Sequence, residues 1–282
     1  MKKRRITSRK PTSRKKNSFW KSKISHYILG GFCFLLLFGI GFHYRNGLLY
    51  YLGFKSDKIL ESKESKRISD VRNYSVLSTY DDKVVGIDVS QYQGKIDWKS
   101  VRLVENNFPI RFAFIRATVG KDKVDCEFET NWKSSKATLI RGAYHYYRPN
   151  ENSLEQANNF IKNVKLRKGD LPPVLDIEAM PKNQPIDSLK AGLKRWLEKV
   201  DAHYQVKPII YTNEKFYEAF LKEDFSNYQF WIANYNFFVE TLQDDWLIWQ
   251  FTEKATVSGI DGNVDVNIYN GSPKMLQYLT LN

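Results

Sequence analysis

The chain has 282 residues, enough for one large domain or two small ones, and carries a net charge of +13 with 15% aromatic side chains. Eleven Lys and Arg residues fall within 1–23, where no Asp or Glu occurs, so the rest of the chain carries only +2 and its bulk lacks the basic surface of a nucleic-acid-binding protein. The two cysteines, Cys33 in an apolar run and Cys126 in polar sequence, predict neither an intramolecular disulfide nor a zinc site.

In chain order, the basic stretch 1–26 reads as a cytoplasmic tail. No charge follows from Ile24 to Tyr44. The strictly apolar part, Ile28 to Phe42, is short against a span of about 20 residues, but Tyr27, His43 and Tyr44 suit the interfacial belt. Residues 27–44 are therefore expected to be a single transmembrane helix, with the N-terminus in the cytoplasm by the positive-inside rule. No A-x-A-like site follows, which favours an uncleaved anchor over a signal peptide. Residues 45–80, rich in Lys and Ser, read as a polar, partly helical stalk outside the membrane. Residues 81–282 then form the domain that carries the chemistry.

From Lys83 onward strands and helices alternate. "KVVGIDVS" (83–90) predicts a strand, and "DWKSVRLVENN" (97–107) a helix capped by Asp97. "IRFAFIRAT" (110–118) predicts a strand, "TNWKSSKAT" (130–138) a helix, and "IRGAYHYY" (140–147) a strand. "SLEQANNFIKNVKL" (153–166) predicts an amphipathic helix capped by Ser153. "PVLDIE" (173–178) is a short strand, with Pro172 and Pro173 at its start, where proline is tolerated. "DSLKAGLKRWLEKVDAHY" (187–204) places Leu189, Leu193, Trp196, Leu197 and Val200 on one helical face. "KPIIYT" (207–212) is a strand, followed by the helix "NEKFYEAFLK" (213–222). The strands "YQFWIANY", "DWLIWQFT" and "NVDVNIY" then follow with no helix between them. The alternation predicts an α/β fold with a parallel sheet, closed or doubly wound. Eight strands point to an irregular (β/α) TIM-like barrel whose last strands have lost their helices.

In such a barrel chemistry sits where strands end. Strand one ends at Asp88, "PVLDIE" at Asp176 and Glu178, and the last strand carries Asp265. Tyr144, Tyr146, Tyr211, Trp231, Tyr235, Trp249 and Gln250 fill other strand ends. Strand alternation puts Asp176 and Glu178 on one face, roughly 6–7 Å apart at Cα. Two acids so placed repel and lose hydration, a cost that acid–base chemistry explains better than packing does. Aromatic faces cover the apolar faces of sugar rings, and paired acids cleave glycosidic bonds. His145 alternates with Tyr144 and Tyr146, and reads as a packing histidine.

"GIDVSQYQGKIDW" (86–98), "FAFIRATVG" (112–120), "GAYHYYRPN" (142–150), "PPVLDIE" (172–178), "IIYTN" (209–213), "FWIANY" (230–235) and "IWQFT" followed by "VDVNIY" (248–269) resemble glycoside hydrolase family 25, lysozymes of bacterial and phage origin. The motifs cover roughly 83–270 in the family's order. The resemblance implies an irregular barrel and hydrolysis of the β-1,4 bond from N-acetylmuramic acid to N-acetylglucosamine in peptidoglycan. By the same resemblance Glu178 matches the general acid, Asp176 its partner in D-x-E, and Asp88 and Asp265 the other two acids. Tyr144, Tyr146, Tyr211, Trp231, Tyr235 and Gln250 would line the glycan. One departure stands out: Val119 occupies a position where the family often has Glu.

Together these readings predict a membrane-anchored lysozyme of the bacterial cell surface. Its partners would be peptidoglycan strands and, through residues 27–44, membrane lipid, with no metal or cofactor. Burial and the charge of Asp176 are expected to raise the pKa of Glu178 and keep it protonated. The second step is either attack by the substrate's own 2-acetamido oxygen, with retention, or water activated by a carboxylate, with inversion. A silent glycan-binding barrel and a glycosidase for chitin-like glycans are the alternatives.

Overall fold

The apolar runs of the second half of the chain close on one another. The computed structural model describes residues 31, 63–236, 241–243 and 245–281. The expected tail, nearly all of the expected anchor and the first part of the stalk lie outside them. The strands are β1 (Val84–Val89), β2 (Leu103–Val104), β3 (Phe108–Val119), β4 (Lys123–Val124), β5 (Ile140–Tyr146), β6 (Val174–Asp176), β7 (Ile209–Asn213), β8 (Gln229–Ala233), β9 (Ile248–Ala255) and β10 (Val264–Tyr269). The helices are α1 (Lys63–Thr79), α2 (Phe128–Ser135), α3 (Ser153–Asn163), α4 (Ile186–Tyr204), α5 (Glu214–Phe216, continued by a π-helical turn over Tyr217–Leu221) and α6 (Pro273–Leu279).

Eight strands form the barrel. β1, β3, β5, β6, β7, β8 and β9 are paired in parallel, and β10 closes the ring antiparallel to both β9 and β1. Two apolar clusters follow from strand alternation. One fills the barrel interior with Phe112, Phe114, Val174, Ile209, Trp231 and Ile248. The other lies between the sheet and the outer helices. The interior is crowded enough to require glycine. A Cβ on Gly86 would meet the Phe112 ring at 2.3 Å, and one on Gly142 the Phe114 ring at 2.3 Å. Each bare backbone leaves room for the aromatic ring of the next strand.

Among the described residues no helix follows β8 or β9, as the sequence implies, and β1 is followed only by the single 3-10 turn Gln91–Gln93. Residues 97–107 are not a helix. The Asp97 carboxylate instead closes a turn, accepting from the Lys99 amide (3.2 Å) and the Ser100 hydroxyl (2.6 Å). Glu105 and Asn106 then adopt positive φ (49° and 56°) and reverse the chain between β2 and β3. Val101 and Val104 are buried in either reading. The apolar spacing alone therefore does not separate a helix from this hairpin. The cap of α3 is Asn152, not Ser153: its side chain accepts from the amides of Leu154 and Glu155. The Ser153 hydroxyl accepts from Arg195 Nε on α4 at 3.2 Å.

The second half of the expected stalk belongs to the barrel unit, which begins at Ser62 rather than at residue 81. α1 lies on the outer face of β9, where the order of elements supplies no helix. Val76 and Leu77 are buried against the outer core. Arg72 donates to the carbonyls of Phe251 (2.6 Å) and Asn236 (3.1 Å), and Asn73 to that of Lys254 (3.4 Å). Tyr80, just past the helix, packs on Trp249 and accepts from the Leu242 amide. α1 thus runs opposite to β9, as a barrel helix does, and its first residues point to the end where the parallel strands finish.

Candidate active site

Asp88, the last residue but one of β1, has its side chain toward the barrel axis and is 6% exposed. Its Oδ2 accepts from Gln250 Nε2 (2.7 Å) and Asn267 Nδ2 (2.8 Å). Both amides are themselves held. Gln250 Oε1 accepts from the hydroxyls of Tyr211 (2.8 Å) and Tyr235, and Asn267 Oδ1 from Trp231 Nε1 (2.8 Å). Five side chains from four other strands and the β8–β9 loop therefore hold one carboxylate still. Burial nevertheless pushes Asp88 up to about 6, with the two amide bonds and the proton of Asp265 opposing that rise. Asp265 lies directly across the β1–β10 ladder from Asp88. Burial first, then the charges of Asp88 and Glu253, hold its carboxyl well above the usual range.

β6 is only three residues long, so Asp176 ends it, 4% exposed, and Glu178 stands beyond the strand, exposed at the mouth. The Asp176 carbonyl accepts from the Tyr147 amide (2.8 Å), and the Ile177 amide donates to Tyr211 O (3.0 Å), which fixes the turn that presents Glu178. The two acids do not share a strand face in equal surroundings. Burial, and then the adjacent Glu178, raise the Asp176 carboxyl far above normal. Glu178 is raised by desolvation from the walls around it and by the charge of Glu253, while its hydrogen bond from Asp176 lowers it. The hydrogen bond between the two raises Asp176 and lowers Glu178, which corrects the expectation that the charge of Asp176 raises the pKa of Glu178; burial and the charge of Glu253 do so instead. Asp176 Oδ1 is buried and accepts from no group.

The residues expected to line a glycan divide by burial. Trp231, Tyr211 and Gln250 are 2%, 8% and 2% exposed and form the floor that orients Asp88, with no face free for a sugar. Trp231 is packed between Phe114 (ring centroids 4.8 Å) and Tyr211 (4.6 Å). Tyr144, Tyr146 and Tyr235 are partly open to the mouth. Trp249 turns outward beneath Tyr80. His145 is fully buried between Thr118 Oγ1 (2.7 Å) and Gln156 Oε1 (3.2 Å), stacked on Trp196, and burial lowers it to about 3. It packs and does not titrate near neutrality.

Several site residues escape a sequence reading. Asn267 could have been found, since it is two residues from Asp265 and shares its face. Glu253 could not: the β9–β10 register shifts beside it break the alternation. Arg116 bonds Asp125 at 2.8 Å, and Asp125 also accepts from the Gln91 amide (3.0 Å). The Arg116 guanidinium lies 4.8 Å from the ring of Tyr92, which is 79% exposed. This bridge links residues 91–92 to the guanidinium whose charge opposes the rise of Tyr144 and Asp176. Among the described residues no group of three or more His, Cys, Asp or Glu is placed to hold a metal ion.

An eight-stranded α/β barrel with acids of raised pKa gathered where its parallel strands end has the architecture and the acid–base groups of a glycoside hydrolase. The profile of the glycosyl hydrolases family 25 matches residues 87–260, and the chain belongs to that family. It is 33% identical over 215 residues to Lysozyme M1 of Streptomyces globisporus, covering 71% of this chain and 72% of the relative. It is 36% identical over 212 residues to the uncharacterised protein YegX of Escherichia coli K12, covering 73% of this chain and 77% of the relative. Among solved structures, the bacterial lysozyme from Streptomyces coelicolor superposes with a TM-score of 0.63 at 30% identity, over 70% of this chain and 97% of that one.

Proposed function

We propose that the protein is a muramidase that hydrolyses the β-1,4 bond between N-acetylmuramic acid and N-acetylglucosamine in peptidoglycan, and that it works from the outer face of a bacterial membrane. The observation that carries the catalytic reading is the unpartnered, buried Oδ1 of Asp176 beside an exposed, raised Glu178. A substrate acetamido N–H donating to Oδ1 favours the ionised form of Asp176. The pair's proton then passes to Glu178, which stands where it can protonate the glycosidic oxygen. Ionised Asp176 aligns the acetamido oxygen for attack on the anomeric carbon and offsets the positive charge that develops on the amide. Water then opens the cyclic intermediate, with Glu178 as base, so the anomeric configuration is retained. Asp88 and Asp265, held across the ladder, position the reacting sugar and keep the mouth acidic.

Release of reducing ends from purified peptidoglycan, compared with chitin oligomers, tests the assignment. Release from peptidoglycan with little from chitin is expected. Binding without release would mean a silent barrel, and preference for chitin a different glycosidase. Proton NMR of the first product formed should show the β anomer; the α anomer would mean direct attack by water.

The anchor reading rests on the uncharged run 24–44 and the eleven cations that precede it. Among the described residues no helix is long and apolar enough to cross a membrane; residues 27–30 and 32–44 are not among them.

A further inference from the structure

The end of the barrel opposite the acids is basic. A groove of about 940 Å³ opens where β1, β3 and β5 begin, walled by the approach to β2, the α2–β5 loop, residues 168–170 and one face of α6. Arg102, Arg111, Lys136 and Lys168 line it and are exposed. Among the described residues no hydrogen bond or ion pair engages Arg111, Lys136 or Lys168. Arg102 gives only its Nε, to the Lys99 carbonyl (3.2 Å). Asp170 is the single acid in the lining. It is buried and already taken by Arg141 Nε (2.9 Å) and the Arg167 amide (2.8 Å). The groove therefore presents four cations across a concavity and no exposed anion to offset them. Cations scattered for solubility would lie apart on convex surface, interspersed with acids.

We infer that this groove binds a linear phosphodiester polymer of the polyol- or sugar-phosphate type, at a site separate from the glycan cleft. Guanidinium forks and ammonium groups are the usual partners of phosphate oxygens. The lining contains no aromatic side chain, so it offers nothing on which a nucleic-acid base would stack. Its concavity admits a strand and excludes a flat bilayer. The exposed apolar residues of α6, Met275 and Tyr278, lie on the side of that helix away from the groove-lining Leu276 and Gln277. The six residues of β1, at about 3.3 Å each, set the two sites roughly 20 Å apart. One molecule could then hold an anionic wall polymer at one end and cut glycan at the other, with the gain in local concentration that two linked sites give. The inference rests on the proposed wall location only for the source of the polymer; the binding itself needs no hydrolysis.

The test uses full-length protein in detergent and a poly(glycerol phosphate) probe at about 0.15 M salt. The comparison is between wild type and the triple variant Arg111→Gln, Lys136→Gln, Lys168→Gln. Both carry the same basic N-terminus, so the difference between them isolates the groove. The variant should bind the polymer roughly tenfold more weakly and with a shallower salt dependence. Both should release reducing ends from polymer-free peptidoglycan at the same rate. Equal affinities for the polymer would overturn the proposal. So would a loss confined to phosphatidylglycerol vesicles, which would make the groove a lipid-facing surface. Absence of reducing ends from both proteins would count against the glycan reading and leave the binding comparison intact.

Discussion

Glu178 and Asp176 are two residues apart in the chain, yet one is exposed and the other buried, and that difference sets their proposed division of labour. Glu178→Gln should lower hydrolysis by about a hundredfold or more with an unchanged melting temperature, because the exposed side chain supports no packing while a general acid has no substitute. Activity within a few-fold of wild type would remove Glu178 from the mechanism. Glu253 raises Glu178 through charge alone. Glu253→Gln should therefore move the alkaline limb of the pH–rate profile to lower pH. Because Glu253 is exposed, the shift should shrink as salt rises. A limb that stays in place would show that burial alone tunes the acid. Asp88 has the opposite relation to stability. Its folded-state pKa, about 6, lies above the ordinary 3.8, so it favours the fold while protonated; that contribution is complete below pH 4 and lost as pH climbs through 6. The shift corresponds to about 3 kcal/mol at most. Asp88→Asn should thus melt higher than wild type at pH 7, with the gap closing near pH 4, while activity falls. No gain at pH 7 would mean that the Gln250 and Asn267 amides already offset the buried charge.

α1 does for β9 what an ordinary barrel helix does for its strand, although it precedes the barrel in the chain. Leu77 is 1% exposed against the outer core. Leu77→Ala should cost about 2–5 kcal/mol in urea unfolding. A barrel starting at Asp81 would leave bare the outer face of Trp249 and Phe251 and the carbonyls that Arg72 and Asn73 satisfy. It should melt well below one starting at Ser62, or aggregate. Equal melting curves would show that α1 is a passenger. Residues 97–107, helical by their apolar spacing, form a turn and the β2–β3 hairpin instead. Glu105, at positive φ, still contributes, since its carboxylate accepts from the Thr256 amide at 3.1 Å and ties the β2–β3 turn to the β9–β10 turn.

At the scale of the molecule, charge is segregated. The acids gather at one end of the barrel and the unpaired cations of the groove at the other. In the proposed anchored form, residues 45–62 could reach at most about 65 Å when fully extended. Cleavage would be confined to glycan within that reach of the membrane. Protease added to wall-stripped cells should release a barrel beginning near residue 62 and leave a small N-terminal fragment in the membrane, extractable by detergent but not by high salt. A mature protein found in the medium with an N-terminus just after Tyr44 would instead establish a cleaved signal peptide.

Much of this was legible in the linear chain because local rules govern it. Strand alternation and the ordered motifs place Asp88, Asp176, Glu178 and Asp265 at strand ends, and the amphipathic spacing of 187–204 matches α4 with its buried Leu189, Leu193, Trp196, Leu197 and Val200. What depends on distant partners was not legible. Trp231 and Gln250 look like sugar-binding groups until closure of the barrel buries them beneath Asp88, 162 residues from Gln250. Asp176 is buried and Glu178 exposed because β6 ends at Asp176 and leaves Glu178 outside. α1 reads as a polar stalk because its buried stripe is narrow, and only the bare face of β9 makes it part of the fold. Sequence determined the strands, their order and the acids, since side-chain spacing and backbone propensity are local. The tertiary structure decided burial, protonation and the basic groove, since each depends on which distant side chains the closed barrel brings together.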